Sequence, residues 1–204
     1  MQVNSNVISL SQTQFSAKLP RKPKNIDVRP REYLTEKEVE QLIKQAKKGR
    51  YGSRDALLIL FMYRHGLRVS EVVSLRWSDV DFQSGVIQVK RVKNGVNGIH
   101  PLSGRELRVL RALKRLSTTS PFILVSERGS PMTTRNVRHL VANAGRALPF
   151  PVHPHMLRHG CGYKLINNGV DVRTVQQYLG HASINSTVHY TKLDSRRFDG
   201  LWRD

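Results

Sequence analysis

Arg68, Lys93, His155, Arg158, His181 and Tyr190 lie beside residues that end helices, open them or turn the chain, where side chains can converge on a ligand. Their types suit phosphoryl transfer. Two guanidiniums can each offer paired N–H donors to the non-bridging oxygens of a phosphate and stabilise charge as it builds in a pentavalent transition state. A lysine ammonium, a point charge, cannot match that fork. A phenol with an ordinary pKa of about 10 must lose its proton to a neighbour as it attacks, and His155 is a suitable acceptor for Tyr190. The departing sugar oxygen needs a proton in return, which Lys93, on a hairpin, can supply.

The elements that must position these groups can be read from periodicity and turn residues. Thr35-Glu36-Lys37-Glu38 has capping-box form and leads into Val39, Leu42, Ile43 and Ala46 at helical spacing, which predicts a helix from Glu36 to Lys47. Ser53 to His65 is apolar nearly all round, as a buried helix is, and Gly66 breaks it. A helix is predicted from Val69 to near Trp77, then an alternating strand from Gly85 to Val92. Asn94-Gly95 and Asn97-Gly98 turn that strand back into Ile99-His100. Arg105 to Leu116 reads as a basic amphipathic helix, Phe122 to Val125 as a short strand and Thr134 to Leu148 as a helix. Pro154 opens a helix to Asn168, and Asp171 caps another to Leu179. A short helix over Ile184–Thr191 carries Tyr190, and Phe198–Trp202 forms a last amphipathic piece. The predicted architecture is mainly α with one small antiparallel sheet, an α+β class.

Residues 1–31 are polar, basic and proline-rich without sustained apolar periodicity, so a flexible basic arm is expected ahead of one domain over 32–204. The 34 Lys and Arg against 15 Asp and Glu leave a net charge of +19 in 204 residues, which favours nucleic acid as partner. A membrane surface is the weaker alternative, because the charge is not concentrated beside one apolar face. The longest apolar run, Ala56–Tyr63, falls far short of the roughly 20 residues of a spanning helix. No secretory signal is recognisable at the N-terminus, so a cytoplasmic location is expected. Cys161, the sole cysteine, excludes an internal disulfide.

Gly66-Leu67-Arg68-Val69-Ser70-Glu71, then His155-Met156-Leu157-Arg158-His159, then Leu179-Gly180-His181 with Tyr190 nine residues on, resembles the tyrosine recombinase (phage integrase) family over residues 33–204. The chain's shortness, His153-Pro154-His155-Met156-Leu157-Arg158-His159 and Arg197-Phe198-Asp199-Gly200-Leu201-Trp202 look most like the fimbrial phase-switch invertases within it. The resemblance implies the catalytic-domain fold of that family and cleavage and rejoining of double-stranded DNA at specific sites. Arg68 and Arg158 would clamp the scissile phosphate and His181 would hydrogen-bond it. His155 would be base toward Tyr190, Lys93 would protonate the leaving 5′-oxygen, and Glu71 would orient the active-site groups. It implies no metal and no nucleotide cofactor, a homotetramer on paired sites, and inversion, integration or excision of DNA. Most relatives carry a further helical domain ahead of this one, so DNA-bending accessory proteins are plausible partners.

Other readings of the same residues stand beside this one. His155 and His159 are spaced as zinc ligands can be, with His153 and Cys161 nearby, but no carboxylate lies between them as general base. His159 is expected to pack beneath the site. Lys90 lies on the same hairpin as Lys93, which is favoured because it directly precedes Asn94-Gly95. At the level of function, a non-catalytic DNA-binding regulator or a type IB topoisomerase-like activity would use the same fold.

Overall fold

The computed structural model describes residues 31–92, 95–116 and 120–191. The chain divides into two units, Met1–Arg31 and Glu32–Asp204, and the architecture below is that of the second. The arm before Arg31, Lys93 and the segment Phe198–Trp202 lie outside the described residues.

Helix α1 (Glu36–Ala46) begins with the expected capping box: the Thr35 hydroxyl accepts from the Glu38 N–H and the Glu38 carboxylate accepts from the Thr35 N–H at 2.8 Å. Its apolar stripe, Val39, Leu42 and Ile43, is buried against α2 (Gly52–Arg64). Every residue of α2 from Ala56 to Tyr63 is buried, because α1, α3 (Val69–Val73), α4 (Gly104–Leu116) and α6 (Pro154–Asn167) all pack on it. This is the central helix that its all-round apolarity predicts. α5 (Thr134–Ala144) closes the layer over α1 and α3.

The sheet is antiparallel in the order β1 (Val80–Asp81), β2 (Val86–Val89), β3 (Gly98–Pro101), with Ile87 opposite His100 and Val89 opposite Gly98. Ile87 and Val89 point into the core and Gln88 outward, the period-two alternation of a strand buried on one face. The chain ends its described part with α7 (Val172–Leu179), α8 (Asn185–Val188) and a 3-10 turn, His189–Thr191, that packs on α6.

Four departures from the sequence reading have physical causes. The helix expected to run to Trp77 stops at Val73 because Leu75 and Trp77 are engaged elsewhere. The Leu75 carbonyl accepts from the Ile123 N–H and the Trp77 N–H donates to the Pro121 carbonyl, both at 3.0 Å. Phe122–Val125 therefore makes isolated bridges, Arg76 with Phe122 and Val125 with Pro131, rather than a sheet strand. β1, two residues long, is too short to leave a periodic signal, and the end of the helix predicted to Leu148 tightens into a 3-10 turn, Gly145–Ala147.

A buried polar cluster lies where α2, α4 and β3 meet. His65 and Glu106 are both sealed from solvent, with Nε2 of His65 3.3 Å from a Glu106 oxygen. The His100 ring lies 5.4 Å from that of His65 and stacks on Tyr178 at 4.0 Å. Burial, followed by repulsion from His65 and Arg91, pushes the His100 pKa from 6.5 down to about 3. Between those values the unfolded chain takes up a proton that the folded chain refuses. His100 therefore adds stability in full above about pH 6.5 and loses it as pH falls toward 3. The thermal unfolding midpoint should drop on acidification from about pH 7 to about pH 4, and His100→Phe should make that drop shallower. Parallel slopes for the two proteins would contradict the assignment.

Candidate active site

Glu71 is 1% exposed, and three arginines surround it. It sits in the first turn of α3, where its carboxylate accepts from the backbone N–H of Arg68 at 2.9 Å and so caps the helix. The Arg68 guanidinium donates to Oε1 at 2.7 Å, and Nη1 of Arg91 donates to Oε2 at 2.8 Å. Nη1 of Arg158 stands 3.8 Å from Oε2, and the Val92 N–H donates to Oε1 at 3.4 Å. Burial, the largest single effect, disfavours the charged carboxylate, but the Arg68 N–H and the Arg91 and Arg68 guanidiniums together outweigh it. They hold Glu71 below the usual carboxylate range.

Pro154 opens α6, as the sequence suggests, and places Arg158 in its second turn. Arg158 is 4% exposed; Nη1 donates to the Gly66 carbonyl just beyond α2, and Nη2 to the Leu179 carbonyl at the end of α7, the latter at 2.7 Å. Burial, then repulsion from Arg68 and Arg91, lowers its pKa to about 10, so it stays charged at neutral pH. Arg68 keeps 26% of its side chain exposed. The two guanidiniums thus share one carboxylate, which holds them side by side without any bound anion.

Gly180, with φ of 64°, ends α7 and delivers His181. The His181 N–H donates to the Gln176 carbonyl at 3.0 Å, and its ring Nδ1 lies 2.8 Å from the buried Thr187 hydroxyl. Burial, then Arg158, Arg68 and Arg91, lowers its pKa to about 4. The ring is therefore neutral near pH 7. When Thr187 donates to Nδ1, the single ring proton resides on Nε2, which becomes a donor suited to an anion.

Tyr190 is 2% exposed in its 3-10 turn. Its hydroxyl lies 3.2 Å from Nδ1 of His159, and its ring centroid is 5.1 Å from that of Tyr163 and 6.2 Å from that of His181. Gly162 makes this seat possible, since a Cβ there would come within 2.6 Å of the Tyr190 ring. Burial raises the phenol to about 12, against the pull of Arg158 and Arg68. Burial likewise lowers His159 to about 4, with His155 as the next cause. His155 is exposed on the first turn of α6, its ring centroid 6.4 Å from that of His159.

The structure thus draws Arg68, Glu71 and Arg158 around one carboxylate and places His181 and Tyr190 in ring contact beside them. His155 occupies the rim, and the hydrogen bond recorded at the Tyr190 hydroxyl belongs to His159, for which the sequence suggested only packing. Lys93 lies outside the described residues; Lys90 is 64% exposed and its ammonium is paired with Asp79 at 2.7 Å. Arg91 and Thr187 were not singled out from the sequence. Strand alternation carried a signal for Arg91, which shares the inward parity of Ile87 and Val89; nothing in the sequence marked Thr187. Among the described residues, no group of three or more His, Cys, Asp or Glu is placed to hold a metal ion.

The model of the phage integrase family matches residues 32–197. The type 1 fimbriae regulatory protein FimE of Escherichia coli K12 is 40% identical over 84% of this chain and 91% of its own length. FimB of the same strain is 37% identical over 86% of this chain and 92% of its own. The crystal structure of XerA recombinase superposes with a TM-score of 0.71 at 30% identity, covering 80% of this chain and 61% of XerA.

Glu71→Gln would leave Arg91 buried without its contacting counter-charge. Urea unfolding should show a loss of about 3–5 kcal/mol, the range for breaking a buried ion pair by removing one partner. A loss within experimental error would contradict the central role given to this carboxylate.

Proposed function

This chain belongs to the phage integrase family of tyrosine recombinases, and from that premise we propose that it inverts a DNA segment by cutting and rejoining paired specific sites through Tyr190. Site-specific recombination is the activity of the family; inversion is favoured by its likeness to FimE and FimB. The observation that carries the reading is the convergence of Arg68 and Arg158 on Glu71 beside His181 and Tyr190.

In this mechanism Arg68 and Arg158 bind the non-bridging oxygens of the scissile phosphate, and His181 donates to one of them. The Tyr190 oxygen attacks phosphorus and the bond from phosphorus to the 5′-oxygen breaks, leaving a 3′-phosphotyrosyl ester. The phenolic proton passes to His155, and Lys93 supplies a proton to the 5′-oxygen. A 5′-hydroxyl from a second cut strand then attacks the ester and releases Tyr190. The ester conserves the energy of the phosphodiester, so the exchange needs no nucleotide cofactor. The arginines supply the charge stabilisation for which many phosphoryl-transfer enzymes use a metal. With its hydroxyl buried against His159, Tyr190 occupies a resting seat, and the turn His189–Thr191 must shift for the phenol to reach DNA.

The partner is double-stranded DNA, in keeping with the net charge of +19. The active assembly is a homotetramer on two sites, with DNA-bending proteins assisting, in the cytoplasm. No helix among the described residues is long and apolar enough to cross a membrane.

Incubation with DNA from the native genomic neighbourhood should yield covalent protein–DNA adducts at defined positions, and Tyr190→Phe should abolish them while leaving binding intact. Adducts formed by that variant would refute the assignment. Binding without cleavage by the unmodified chain would favour a regulator, and relaxation of plasmids lacking the site a topoisomerase. Under single-turnover conditions His155→Ala should slow adduct formation by about 10²- to 10⁴-fold. The same loss in His159→Ala with none in His155→Ala would move the base to His159.

A further inference from the structure

Arg91 carries the most extensively bonded guanidinium in the site. None of its side chain is exposed. Nη1 donates to Glu71 at 2.8 Å and to the Gly66 carbonyl at 3.3 Å, while Nη2 donates to the His65 carbonyl at 3.1 Å and the Tyr178 carbonyl at 2.5 Å. Its backbone N–H donates to the Asn97 side chain across the hairpin at 2.8 Å, and the next residue, Val92, donates its own N–H to Glu71. Two glycines make room for it: a Cβ on Gly180 would fall 2.6 Å from Cγ of Arg91, and one on Gly95 would fall 2.7 Å from its Cβ. One residue beyond β2 thus ties the root of the hairpin to the Arg68–Glu71 pair, to the end of α2 and to the end of α7.

So many committed donors and so little exposure mean that Arg91 does not itself meet the substrate. Its charge is also costly. Burial depresses its pKa, Glu71 opposes that shift, and the carbonyls at two helix C-termini add partial negative charge. If this position served only to fill the core, an apolar residue continuing the Ile87–Val89 alternation would do so without burying an ion. What an arginine adds is directional: its planar fork fixes the hairpin against Glu71 with one geometry.

Resting on the recombinase reading above, the geometry points to Arg91 as a positioning residue that sets the register of the Lys93-bearing hairpin against the Arg68–Glu71–Arg158 cluster. Lys93 follows two residues later. The step that depends on Arg91 is therefore proton delivery to the leaving 5′-oxygen, rather than phosphate binding or attack by Tyr190.

The test uses the full chain and a duplex bearing the cleavage site that the unmodified protein marks by covalent adducts, prepared with oxygen or with sulfur at the bridging 5′-position of the scissile phosphate. A thiolate leaves without needing a proton, so the sulfur substrate bypasses the acid. Arg91→Lys and Arg91→Met should bind the duplex normally and form the adduct about 10- to 100-fold more slowly on the oxygen substrate. On the sulfur substrate both should approach the unmodified rate, as Lys93→Ala should. Arg91→Lys, which keeps the charge and a bond to Glu71, should be the milder variant. Equal slowing on both substrates would make Arg91 a support of the phosphate clamp or the fold, and the proposal would fail. It would also fail if neither variant were slowed, or if both failed to fold. An unmodified chain that forms no adduct, or a Lys93→Ala variant that sulfur does not restore, would instead count against the recombinase mechanism on which the inference rests.

Discussion

A guanidinium can be buried only where something negative receives it, and in this fold the receiver is Glu71. Leaving an ion in a low-dielectric interior without a partner costs several kcal/mol. Here Arg91 is fully sealed and Arg158 nearly so, and both lean on a single carboxylate that also holds Arg68. Three guanidiniums face this one carboxylate, so positive charge remains in excess; burial lowers the Arg158 pKa most, and repulsion from Arg68 and Arg91 lowers it further. A phosphodiester is the anion that would complete the cluster, and its charge would relieve the repulsion among the arginines. An anion entering the cluster would therefore meet a positive field already in place, as the proposed phosphoryl transfer requires.

Helix ends receive the other terminal N–H groups of these two guanidiniums. The carbonyls of His65 and Gly66 beyond α2, and of Tyr178 and Leu179 closing α7, are groups that a helix leaves without internal partners, and Arg91 and Arg158 take them up. The negative ends of two helix dipoles thereby face the two buried cations. This arrangement links packing to chemistry. α2 is the most deeply buried helix, so its end is a rigid reference point. α7 hands that position to His181 through Gly180, and His181 stacks beside Tyr190. Tyr190 in turn belongs to a small apolar cluster with Cys161, Tyr163, Ile166, Val175 and Leu179, apart from the main core. In the proposed mechanism, this seat in a satellite cluster on a single 3-10 turn would let Tyr190 move while the helices that hold Arg68 and Arg158 stay in place.

The parts of this account that were legible in the sequence are those written in short-range chemistry. Thr35 and Glu38 announce the start of α1, Pro154 the start of α6 and Asp171 that of α7, because caps and prolines act within one turn. Arg68, Arg158, His181 and Tyr190 stood out by residue type and by their place beside helix ends. What escaped depends on partners far along the chain. The early stop of α3 follows from pairing of Leu75 and Trp77 with residues 121–123. The hold of His159 on the Tyr190 hydroxyl arises only when α6 and the final turn come together, while that of Thr187 on His181, nearer in sequence, waits on how the chain turns from α7 into α8. Arg91 is intermediate: alternation predicts that it faces inward, but only the fold shows that Glu71 awaits it there.

In the proposed mechanism this charged cradle presents a phosphate to one particular phenol. Digestion of the covalent complex of the unmodified chain with its DNA, followed by mass spectrometry of the nucleotide-bearing peptide, should find a phosphodiester-linked nucleotide on Tyr190. The same mass on another tyrosine, or on a serine or histidine, would contradict that mechanism.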